Sequence, residues 1–361
     1  MVQIKLLTNQ ELTEFLVDNP RHQIFHTLKW KKFIQDSFKV NIEYAAAIDH
    51  NNQKNTIVTV LPFAQIKSKI FKNRIISTPY LEFGGITGNP SNLKCILNYL
   101  KAKFPNNEYI EVRSNKLPIP NQINSSNGSG IITKTEYTTT ILNLPNSKDD
   151  LWKNIHKHKR NEVRKAQKKE IITRQLNQDD LNKLYKLYLI TMQKHGTPPY
   201  SKKYFKNFFS QMQEKGLGIS HGAFYKSKLV AVVLGFVYNN QIHITLNASL
   251  SKFNDKKINT AVYWGLIESC YKQKTINQIG KITSIDFGRS HKNNTNLTFK
   301  KKWNANSIDL TYIYFPIKAK TIPNALDQTN KKYQLAIKIW RLLPLKFTQL
   351  IGMPLRKSLG I

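Results

Sequence analysis

The sequence predicts an α/β protein made of two similar units, each with a mixed central sheet. Helical and strand patterns alternate along most of the 361 residues, and the order helix, helix, strands, helix, strand occurs twice. A chain of this length is expected to form two domains, and a hydrophobic content of 40% supplies enough apolar side chains for both cores. The inferred unit is long, and its two copies show no visible sequence similarity.

The first half begins with two helical patterns and continues with strands. Residues 8–19 and 26–38 have the apolar spacing of amphipathic helices, and Thr8 and Asn9 suit a helix start. Strand patterns follow at 44–49, 55–68, 75–88, 109–114 and 138–145, with a helical pattern at 93–104. The stretch NQINSSNGSG, residues 121–130, is predicted to be a loop.

The second half repeats this order. Helices are predicted at 149–170, 179–195, 202–215 and 259–273, and strands at 218–225, 228–238, 241–250, 284–288 and 309–316. Asp149 and Asp150 suit the positive N-terminal end of the first of these helices. The longest uncharged apolar run, 229–238, is too short to span a bilayer and is interpreted as a buried strand.

The charge of the chain is extreme, with 56 basic and 22 acidic residues and a formal net charge of +34. Lysines greatly outnumber arginines, and Asn and Ile are also frequent. This pattern fits biased nucleotide composition as well as selection for an anionic partner, and the sequence leaves both explanations open. In either case the surface will attract phosphates, nucleic acid and anionic lipid.

Cysteine usage and the N-terminus point to a cytoplasmic protein. Cys95 and Cys270 lie within apolar helical patterns and are predicted to be buried free thiols. They have no metal-ligand spacing, and no metal site is predicted. The N-terminal residues lack the apolar core of a signal peptide.

The tail, residues 331–361, has seven basic residues and no acidic one. Apolar side chains lie between the basic ones, and Pro344 and Pro354 are expected to divide the tail into short pieces. One interpretation is a helical cap that docks on the second domain. The other is an interfacial segment, with apolar side chains in lipid and basic ones at anionic headgroups.

Several familiar chemistries are absent from the sequence. There is no Walker loop, dinucleotide-binding glycine motif, HExxH, GxSxG or Cys/His cluster. The run QEKGLG, residues 213–218, matches a coenzyme A pyrophosphate loop but ends a helix instead of opening one, so Gly216 is interpreted as a helix C-cap. The better position for a donor loop is 251–258, which contains Lys256 and leads into Asn259 and Thr260 at a helix start; these three residues are predicted to bind donor phosphates.

The helix predicted at 149–170 carries a dense basic segment. Trp152, Ile155, Val163 and Ala166 form a narrow buried stripe, which places Arg160 and Arg164 together on another face. Two guanidinium groups on one face can clamp a phosphate, and Asn161 lies beside them. The alternative is an ordinary solvated helix face.

The stretch SIDFGRSHKNNTNLTFKKKWNA, residues 284–305, places one carboxylate at a strand end. Asp286 is followed by Arg289 and then by the lysines 300–302. A lone acid among cations fits a proton acceptor beside a site for an anionic group. The alternative is a structural ion pair between Asp286 and Arg289.

Four segments in this order resemble a bacterial group of Fem-type, FemAB-related acyltransferases of the GNAT superfamily, associated with envelope and exopolysaccharide genes. They are RNEVRKAQKKE, HGTPPYSKKYF, NTAVYWGLIESC and DFGRSHKNNTNLTFKKKWNA. The first half adds FHTLKWKKFIQDSF, the segment from VLPFAQ to LEFGG, and YIEVRS. The resemblance covers roughly residues 20–315.

The resemblance implies two tandem GNAT-like domains that face each other across a cleft, here 1–145 and 146–318, followed by a helical tail at 319–361. It implies that Asp286 accepts or orients the proton of the attacking amine. Arg289 and Lys301 would hold an anionic group of the donor or acceptor. Tyr80 and Glu82, with the nearby Gly84 and Gly85, would line the cleft from the first domain.

The resemblance implies two possible functions, and the charge of the chain leaves a third one open. The leading one is transfer of an acyl group from acyl-coenzyme A to an amine or hydroxyl of a cell-envelope glycan or peptide precursor. The second uses aminoacyl-tRNA as the donor for a peptidoglycan precursor. The third is a basic nucleic-acid-binding protein without catalysis, although no helix-turn-helix or RNP motif favours it. The expected partner is an anionic or lipid-linked envelope precursor, and tRNA is a further partner if the second function is correct. Residues 331–361 are expected to contact the inner face of the membrane if the tail is an interfacial segment.

Overall fold

The computed structural model describes residues 2–20, 22–52, 54–115, 131–272, 281–320 and 331–360. The chain forms two compact units. The first unit contains Met1–Tyr137, Asp309–Asp327 and Arg356–Ile361, and the second unit contains Thr138–Ile308 and Gln328–Leu355. Both units are discontinuous in sequence, whereas the predicted domains 1–145, 146–318 and 319–361 are continuous, and that division stays a prediction. The loop predicted at 121–130 lies outside the described residues.

Regular elements alternate along the described chain. The helices are α1 (Asn9–Asp18), α2 (Leu28–Phe38), α3 (Leu93–Lys103), α4 (Lys148–Asn154), α5 (Lys157–Lys168), α6 (Leu181–His195), α7 (Lys202–Asn207), α8 (Ile258–Tyr271), α9 (Thr295–Lys301), α10 (Lys331–Leu342) and α11 (Leu345–Leu359). The strands are β1 (Val2–Leu6), β2 (Glu43–Asn52), β3 (Lys54–Ile66), β4 (Arg74–Ile76), β5 (Thr87–Gly88), β6 (Tyr109–Ser114), β7 (Ile132–Asn143), β8 (Ile172–Gln175), β9 (Gly218–Tyr225), β10 (Lys228–Tyr238), β11 (Gln241–Ser249), β12 (Ser284–Asp286), β13 (Ser290–His291) and β14 (Asn306–Pro316).

The first unit is built on a mixed sheet in the order β1-β2-β3-β4-β6-β14, with β5 paired to β3. All neighbours are antiparallel except β4 and β6, which are joined through α3. Apolar side chains of α3, including Ile96 and Leu97, pack with Leu61, Phe63 and Ile110 of the sheet in one core. Burying each such side chain contributes about 1.5–3 kcal/mol relative to leaving it exposed.

The second unit has a mixed sheet in the order β7-β12-β11-β10-β9-β8, with β13 paired to β7. Along this order, β11 and β12 pair in parallel and α8 joins them, whereas the other neighbours pair antiparallel in the described residues. α8 packs on β8, β9 and β10 and on α5, and most of its residues are therefore buried. α6 contacts β10 and β11. Helices α6 and α8 therefore both pack near the parallel strands β11 and β12, since α6 contacts β11 and α8 connects the two strands.

The two units repeat one order of elements. Each contains two helices, then antiparallel strands, then a helix that crosses over to a parallel strand; these are α1, α2, β2–β4, α3 and β6 in one unit, and α6, α7, β9–β11, α8 and β12 in the other. The repeat that the sequence predicts is therefore present. The repeated order arises from local sequence patterns, because amphipathic helices and apolar strands alternate in the same way in both halves.

Capping residues fix several element boundaries. Thr8 caps α1, and Glu11 returns a hydrogen bond to the Thr8 backbone, which completes a capping box. Gly196 ends α6 with a φ of 69°, and Gly216 has a φ of 72° where the segment after α7 ends. Gly216 therefore terminates a helical segment, as predicted, and the run 213–218 is not a phosphate loop that opens a helix.

Four local predictions are wrong. The helix expected at 149–170 is interrupted at Ile155, whose extended backbone separates α4 from α5. The strand expected at 75–88 stops at Ile76, because Thr78 and Tyr80 adopt positive φ values and leave the sheet. Pro354 lies inside α11 and does not break it, and Cys95 is exposed, whereas Cys270 is buried as expected.

The helical tail is confirmed in α10 and α11. Trp340 and Thr348 are buried, and the side-chain amide of Gln193 donates a hydrogen bond to the Leu343 carbonyl. Gly352 packs against Pro199. One face of the tail is thus fixed to the second unit. None of the helices in the described ranges has the length and apolar character that crossing a membrane requires.

Candidate functional site

The parallel pairing of β11 and β12 ends in the middle of β11. The last residues in register are His243 and Asp286, yet β11 continues to Ser249. A β-bulge lies just beyond, because Leu234 and Gly235 of β10 face Leu246 and Ile244 and leave Thr245 as the extra residue. A bulge bends its strand and increases the local twist, so β11 changes direction just beyond the end of its pairing with β12.

Asp286 is fully buried at the point where the two strands separate. Its Oδ1 atom accepts hydrogen bonds from the hydroxyl of Thr139 and, at 2.8 Å, from the backbone N–H of Gly288. Its Oδ2 atom lies 3.1 Å from Nδ1 of His243, an electrostatic contact without hydrogen-bond alignment. The carboxylate thus fixes the turn after β12 and faces an imidazole.

His243 is the residue at this site that the sequence analysis missed. Its side chain is buried and lies on the same face of the sheet as Asp286, since the two are partners in register. A carboxylate next to an imidazole stabilises the imidazolium, so the pair can accept and return a proton. Among the described residues, no group of His, Cys, Asp and Glu could hold a metal ion.

The turn after Asp286 is held by a lysine. Lys300 is buried, and its Nζ atom donates hydrogen bonds to the carbonyls of Gly288 at 2.7 Å and Arg289 at 3.1 Å. Gly288 has a φ of 72°, and its backbone lies against the Ile244 carbonyl with no room for a side chain. Arg289 is half-buried and Lys301 is exposed, so Lys300 is the member of the lysine cluster that contacts this turn.

The segment from β11 to α8 offers unsatisfied polar groups. Lys257 adopts a left-handed conformation, and α8 begins there without a side-chain cap. The buried oxygens Oγ1 of Thr245 and Oδ1 of Asn259 have no hydrogen-bond partner in the described part of the chain. Free amides at a helix start and the Thr245 hydroxyl can donate hydrogen bonds to a phosphorylated ligand, whereas Oδ1 of Asn259 can only accept one.

Thr260, predicted to bind the donor, belongs to a buried polar network. Its hydroxyl donates to Glu162 at 2.9 Å, and Nζ of Lys159 lies 2.6 Å from the same carboxylate. Lys256 contacts Asp255 at 3.1 Å, and Lys257 lies 3.6 Å from Glu162. The network joins α5 to the start of α8 and so fixes the position of the donor loop.

Lys159 is the second residue that the sequence analysis missed. It is 1% exposed, and its ammonium lies 3.8 Å from the ring centre of Phe299 and 5.3 Å from that of Trp303. Burial lowers the pKa of Lys159. Burial acts to raise the pKa of Glu162, but the hydrogen bonds and charges around it outweigh burial and lower that pKa.

The predicted basic face of α5 is present. Arg160 is half-buried, and Asn161 and Arg164 are exposed. The Arg164 guanidinium lies 5.4 Å from the Trp152 ring and 3.3 Å from the Asn161 side-chain oxygen. Arg160 and Arg164 thus share a face with Trp152, and a phosphate clamp at this position stays a prediction.

A basic pocket of about 530 Å³ opens beside the donor loop. Leu187, Ile190, Leu229 and Leu250 form its apolar floor. Five lysines surround it, from α6, from β10 and from the segment that follows β11; they are Lys183, Lys186, Lys194, Lys228 and Lys252. Such a pocket suits an anionic ligand with an apolar body.

In the first unit, Tyr80 and Glu82 lie in the irregular segment after β4. The Tyr80 ring stacks on Phe38 at 3.8 Å, and its backbone N–H donates to the Gly360 carbonyl. The Glu82 carbonyl accepts a hydrogen bond from the Tyr312 hydroxyl at 2.6 Å. Tyr80 is therefore buried in packing contacts, while Glu82 is half-buried.

Gly85 lines a separate polar cavity of about 470 Å³ in the first unit. Its carbonyl lies 3.0 Å from Nε2 of His26, and a side chain at this position would meet the Arg113 carbonyl. Asp18 and Ser114 also line the cavity. The glycine thus allows the close backbone approach that the sequence predicts.

Comparison with known families gives one match. Residues 153–301 match the acetyltransferase (GNAT) domain family. This range contains the donor loop, α8, His243, Asp286 and α9. Comparison with curated proteins finds no match.

Solved structures share the fold across both units. FemX has a TM-score of 0.64 at 14% identity, covering 88% of this chain and 98% of that chain. A tandem GNAT protein from the clavulanic acid biosynthesis pathway has a TM-score of 0.54 at 9% identity, covering 87% and 98%. L-PGS from Bacillus licheniformis has a TM-score of 0.51 at 11% identity, covering 94% and 98%. The predicted tandem GNAT-like α/β fold is confirmed.

Proposed function

Since the chain is a GNAT-superfamily acyltransferase with the fold of the Fem-type proteins, we propose that it transfers an acyl group from acyl-coenzyme A to an amine of a cell-envelope glycan or peptide precursor. A hydroxyl acceptor is the less favoured form of the same reaction. We reject the hypothesis of a non-catalytic nucleic-acid-binding protein, because residues 153–301 match an acetyltransferase domain.

One observation carries the proposal: the parallel strands stop pairing at His243 and Asp286, next to the bulge at Thr245. In the described part of the second unit, no strand pairs with Ile244–Ser249 on the side of β12. Within this stretch, the Ser249 backbone is hydrogen-bonded to the Thr191 hydroxyl and the Ile244 carbonyl lies against Gly288, which leaves the backbone of Thr245–Ala248 to a ligand. An extended thioester arm is a suitable ligand. The proton-accepting pair lies where this gap begins.

His243 and Asp286 have complementary roles in the proposed reaction. The amine nitrogen attacks the thioester carbonyl, a C–N bond forms, and His243 takes the proton that the nitrogen loses. Asp286 holds the resulting imidazolium. Backbone N–H groups of β11 stabilise the tetrahedral oxyanion. The C–S bond then breaks, and the thiolate recovers the proton from His243. Asp286 is thus assigned to positioning and charge stabilisation, since it is fully buried.

The donor phosphates are assigned to the start of α8 and to the lysines around it. The uncapped amides of α8 and the Lys256 ammonium supply hydrogen-bond donors, while the orphaned Oδ1 atom of Asn259 can accept a hydrogen bond from another part of the donor. Thr260 contributes by anchoring the helix start through Glu162. The basic pocket adjoins this loop through Ser251 and Lys252, and its apolar floor and ammonium groups suit the nucleotide end of the donor.

The acceptor is assigned an anionic group. Arg160, Arg164 and Arg289 are exposed or half-buried guanidinium groups in the second unit, and Asn161 and Lys301 are exposed beside them in sequence. Guanidinium groups bind phosphates and carboxylates in a bidentate manner. Within the first unit taken by itself, Glu82 and the cavity lined by Gly85 stay predicted ligand contacts, and Tyr80 contributes there through packing.

Aminoacyl-tRNA is the second candidate donor. FemX shares the fold, and the net charge of +34 suits a polyanion. Both donors end in a nucleotide and carry an activated carbonyl, so the same pair and the same pocket would serve either. Only the identity of the donor separates the two functions.

Calorimetric titration with acetyl-coenzyme A and with free tRNA tests this choice. The proposal predicts saturable, one-site binding of acetyl-coenzyme A that Lys228→Glu weakens, while Lys215→Glu, an exposed lysine elsewhere in the second unit, leaves it unchanged. The opposite result would be that the protein does not bind acetyl-coenzyme A and that its acyl-transfer activity is lost on ribonuclease treatment. That result would establish the tRNA-dependent reaction.

A further inference from the structure

Helices α10 and α11 present an apolar surface to solvent. Leu335, Ile339 and Leu342 are 58%, 52% and 85% exposed, and Phe347 and Leu350 are 48% and 73% exposed. Leu335, Ile339 and Leu342 are spaced by four and then three residues, so they lie on one face of α10. Phe347 and Leu350 are three residues apart and lie on one face of α11. We call these five residues the tail patch.

The tail patch is concentrated, unlike the other exposed apolar side chains. Of eleven large hydrophobic residues that are exposed in the described chain, five lie within residues 335–350, and the others are distributed singly or far apart in sequence. Scattered exposed apolar residues are normal, but a contiguous set marks an interaction surface.

The opposite face of the same helices is firmly packed. Trp340 is 7% exposed, and Ile337 lies against Gly196, where a side chain would approach it to 2.5 Å. Thr348 and Gly352 are buried in α11. The exposure of the tail patch therefore belongs to a folded, fixed surface.

Cations surround the tail patch and no acid accompanies them. Lys338, Arg341 and Lys346 are exposed, and none forms an ion pair with any residue that the structure describes. From Gln328 to the end of the chain there is no Asp or Glu. Apolar side chains among unpaired cations complement an anionic lipid surface, where alkyl groups enter the acyl boundary and ammonium and guanidinium groups meet phosphates.

We propose that α10 and α11 dock the protein on an anionic bilayer surface, with the tail patch inserted at the headgroup boundary. Such docking goes beyond the transfer reaction and would bring the enzyme to lipid-linked acceptors. The tail patch is less suited to bind a second copy of this chain than to bind an anionic bilayer, because a dimer would place the same cations opposite one another without acids to pair them.

Co-sedimentation of the full-length protein with vesicles tests the proposal. The probes are phosphatidylcholine vesicles and phosphatidylcholine vesicles that contain phosphatidylglycerol. We expect binding to the anionic vesicles that Leu342→Ser/Leu350→Ser weakens by at least about tenfold, although this variant keeps the net charge. Ile172→Ser, which is 69% exposed on β8, is the matched control and should bind like the wild type.

The overall charge requires a second control. Lys338→Gln/Arg341→Gln/Lys346→Gln should reduce the preference for anionic vesicles more than Lys203→Gln/Lys206→Gln/Lys215→Gln, which removes the same charge from α7 and the turn after it. Equal losses would show that general charge alone drives binding and would overturn the proposal. Absence of binding, or a concentration-dependent dimer that Leu342→Ser/Leu350→Ser abolishes, would also overturn it. None of these measurements depends on transferase activity.

Discussion

His243 and Asp286 lie opposite each other in the last register position between β11 and β12, with 3.1 Å between Nδ1 and Oδ2. They are far apart in sequence and meet only because α8 returns the chain to a parallel strand. The contact therefore depends on the crossover connection. It places the proposed proton-accepting pair where the pairing of the two strands ends.

Asp286→Asn should reduce kcat by at least about 100-fold while the protein stays folded, because an amide cannot stabilise an imidazolium. Thr139 and Gly288 can still donate to the amide oxygen, so the turn after β12 should persist. Acyl-transfer kinetics and circular dichroism on the same samples measure both effects. Asp149→Asn, an exposed acid in α4, is the control, and equal activity of the two variants would remove Asp286 from the reaction.

Thr245→Val should move stability and donor affinity in opposite directions. The Thr245 hydroxyl is buried without a partner, so removing it should leave the free energy of unfolding unchanged or raise it by up to about 1 kcal/mol. If the hydroxyl binds the donor, the Kd for acetyl-coenzyme A should rise about 5- to 10-fold, which corresponds to one lost hydrogen bond. Denaturant titration and calorimetry give the two values. Loss of stability with unchanged affinity would assign Thr245 to the fold alone.

Lys159→Met should destabilise the second unit by about 3 kcal/mol, since it leaves the Glu162 carboxylate without its closest cation. Lys159→Met/Glu162→Met should recover at least half of that loss, because no unpaired buried charge remains. Lys157→Met, an exposed lysine of the same helix, should change the free energy of unfolding by less than about 0.5 kcal/mol. Equal effects of Lys159→Met and Lys157→Met in urea denaturation would mean that the contact between Lys159 and Glu162 does not contribute to the free energy of unfolding.

His221 should make the protein less stable in weak acid. Burial, helped by the charges of Lys272 and Arg174, lowers the pKa of His221 from 6.5 to about 4. Between these pH values the unfolded chain binds a proton that the folded protein does not bind, so stability falls as the pH drops through this window. Over the whole window the loss amounts to about 3 kcal/mol.

His221→Leu should remove this part of the pH dependence. Both ring nitrogens of His221 are buried without hydrogen-bond partners in the described chain, so the substitution breaks no hydrogen bond. The variant should be more stable than the wild type at pH 5 relative to pH 7 in denaturant titrations. Parallel curves for the two proteins over that range would contradict the assignment.

The elements could be predicted from the sequence, whereas the proposed catalytic pair of His243 and Asp286 could not. Helical and strand periodicity is local, so α8 and β9–β12 were predicted at nearly their observed positions. Asp286 was found because it ends a short apolar strand. His243 was missed because its importance arises from parallel pairing and from the bulge at Thr245, and neither has a local signal in the sequence.

Lys159 was missed for a different reason. A run of basic residues is usually solvated, yet Lys159 is four residues from both Ile155 and Val163 and so lies on the buried stripe. The helical spacing therefore contained a signal for its burial. Its aromatic and acidic surroundings come from α5, α8 and α9 together and required the structure.

Hydrogen exchange in the presence of saturating coenzyme A is the measurement that tests most directly whether the donor occupies the gap between β11 and β12. We expect slower exchange of the backbone amides of 245–248 and 258–260, with little change in the first unit. Unchanged exchange in both segments, or protection confined to another part of the chain, would contradict it.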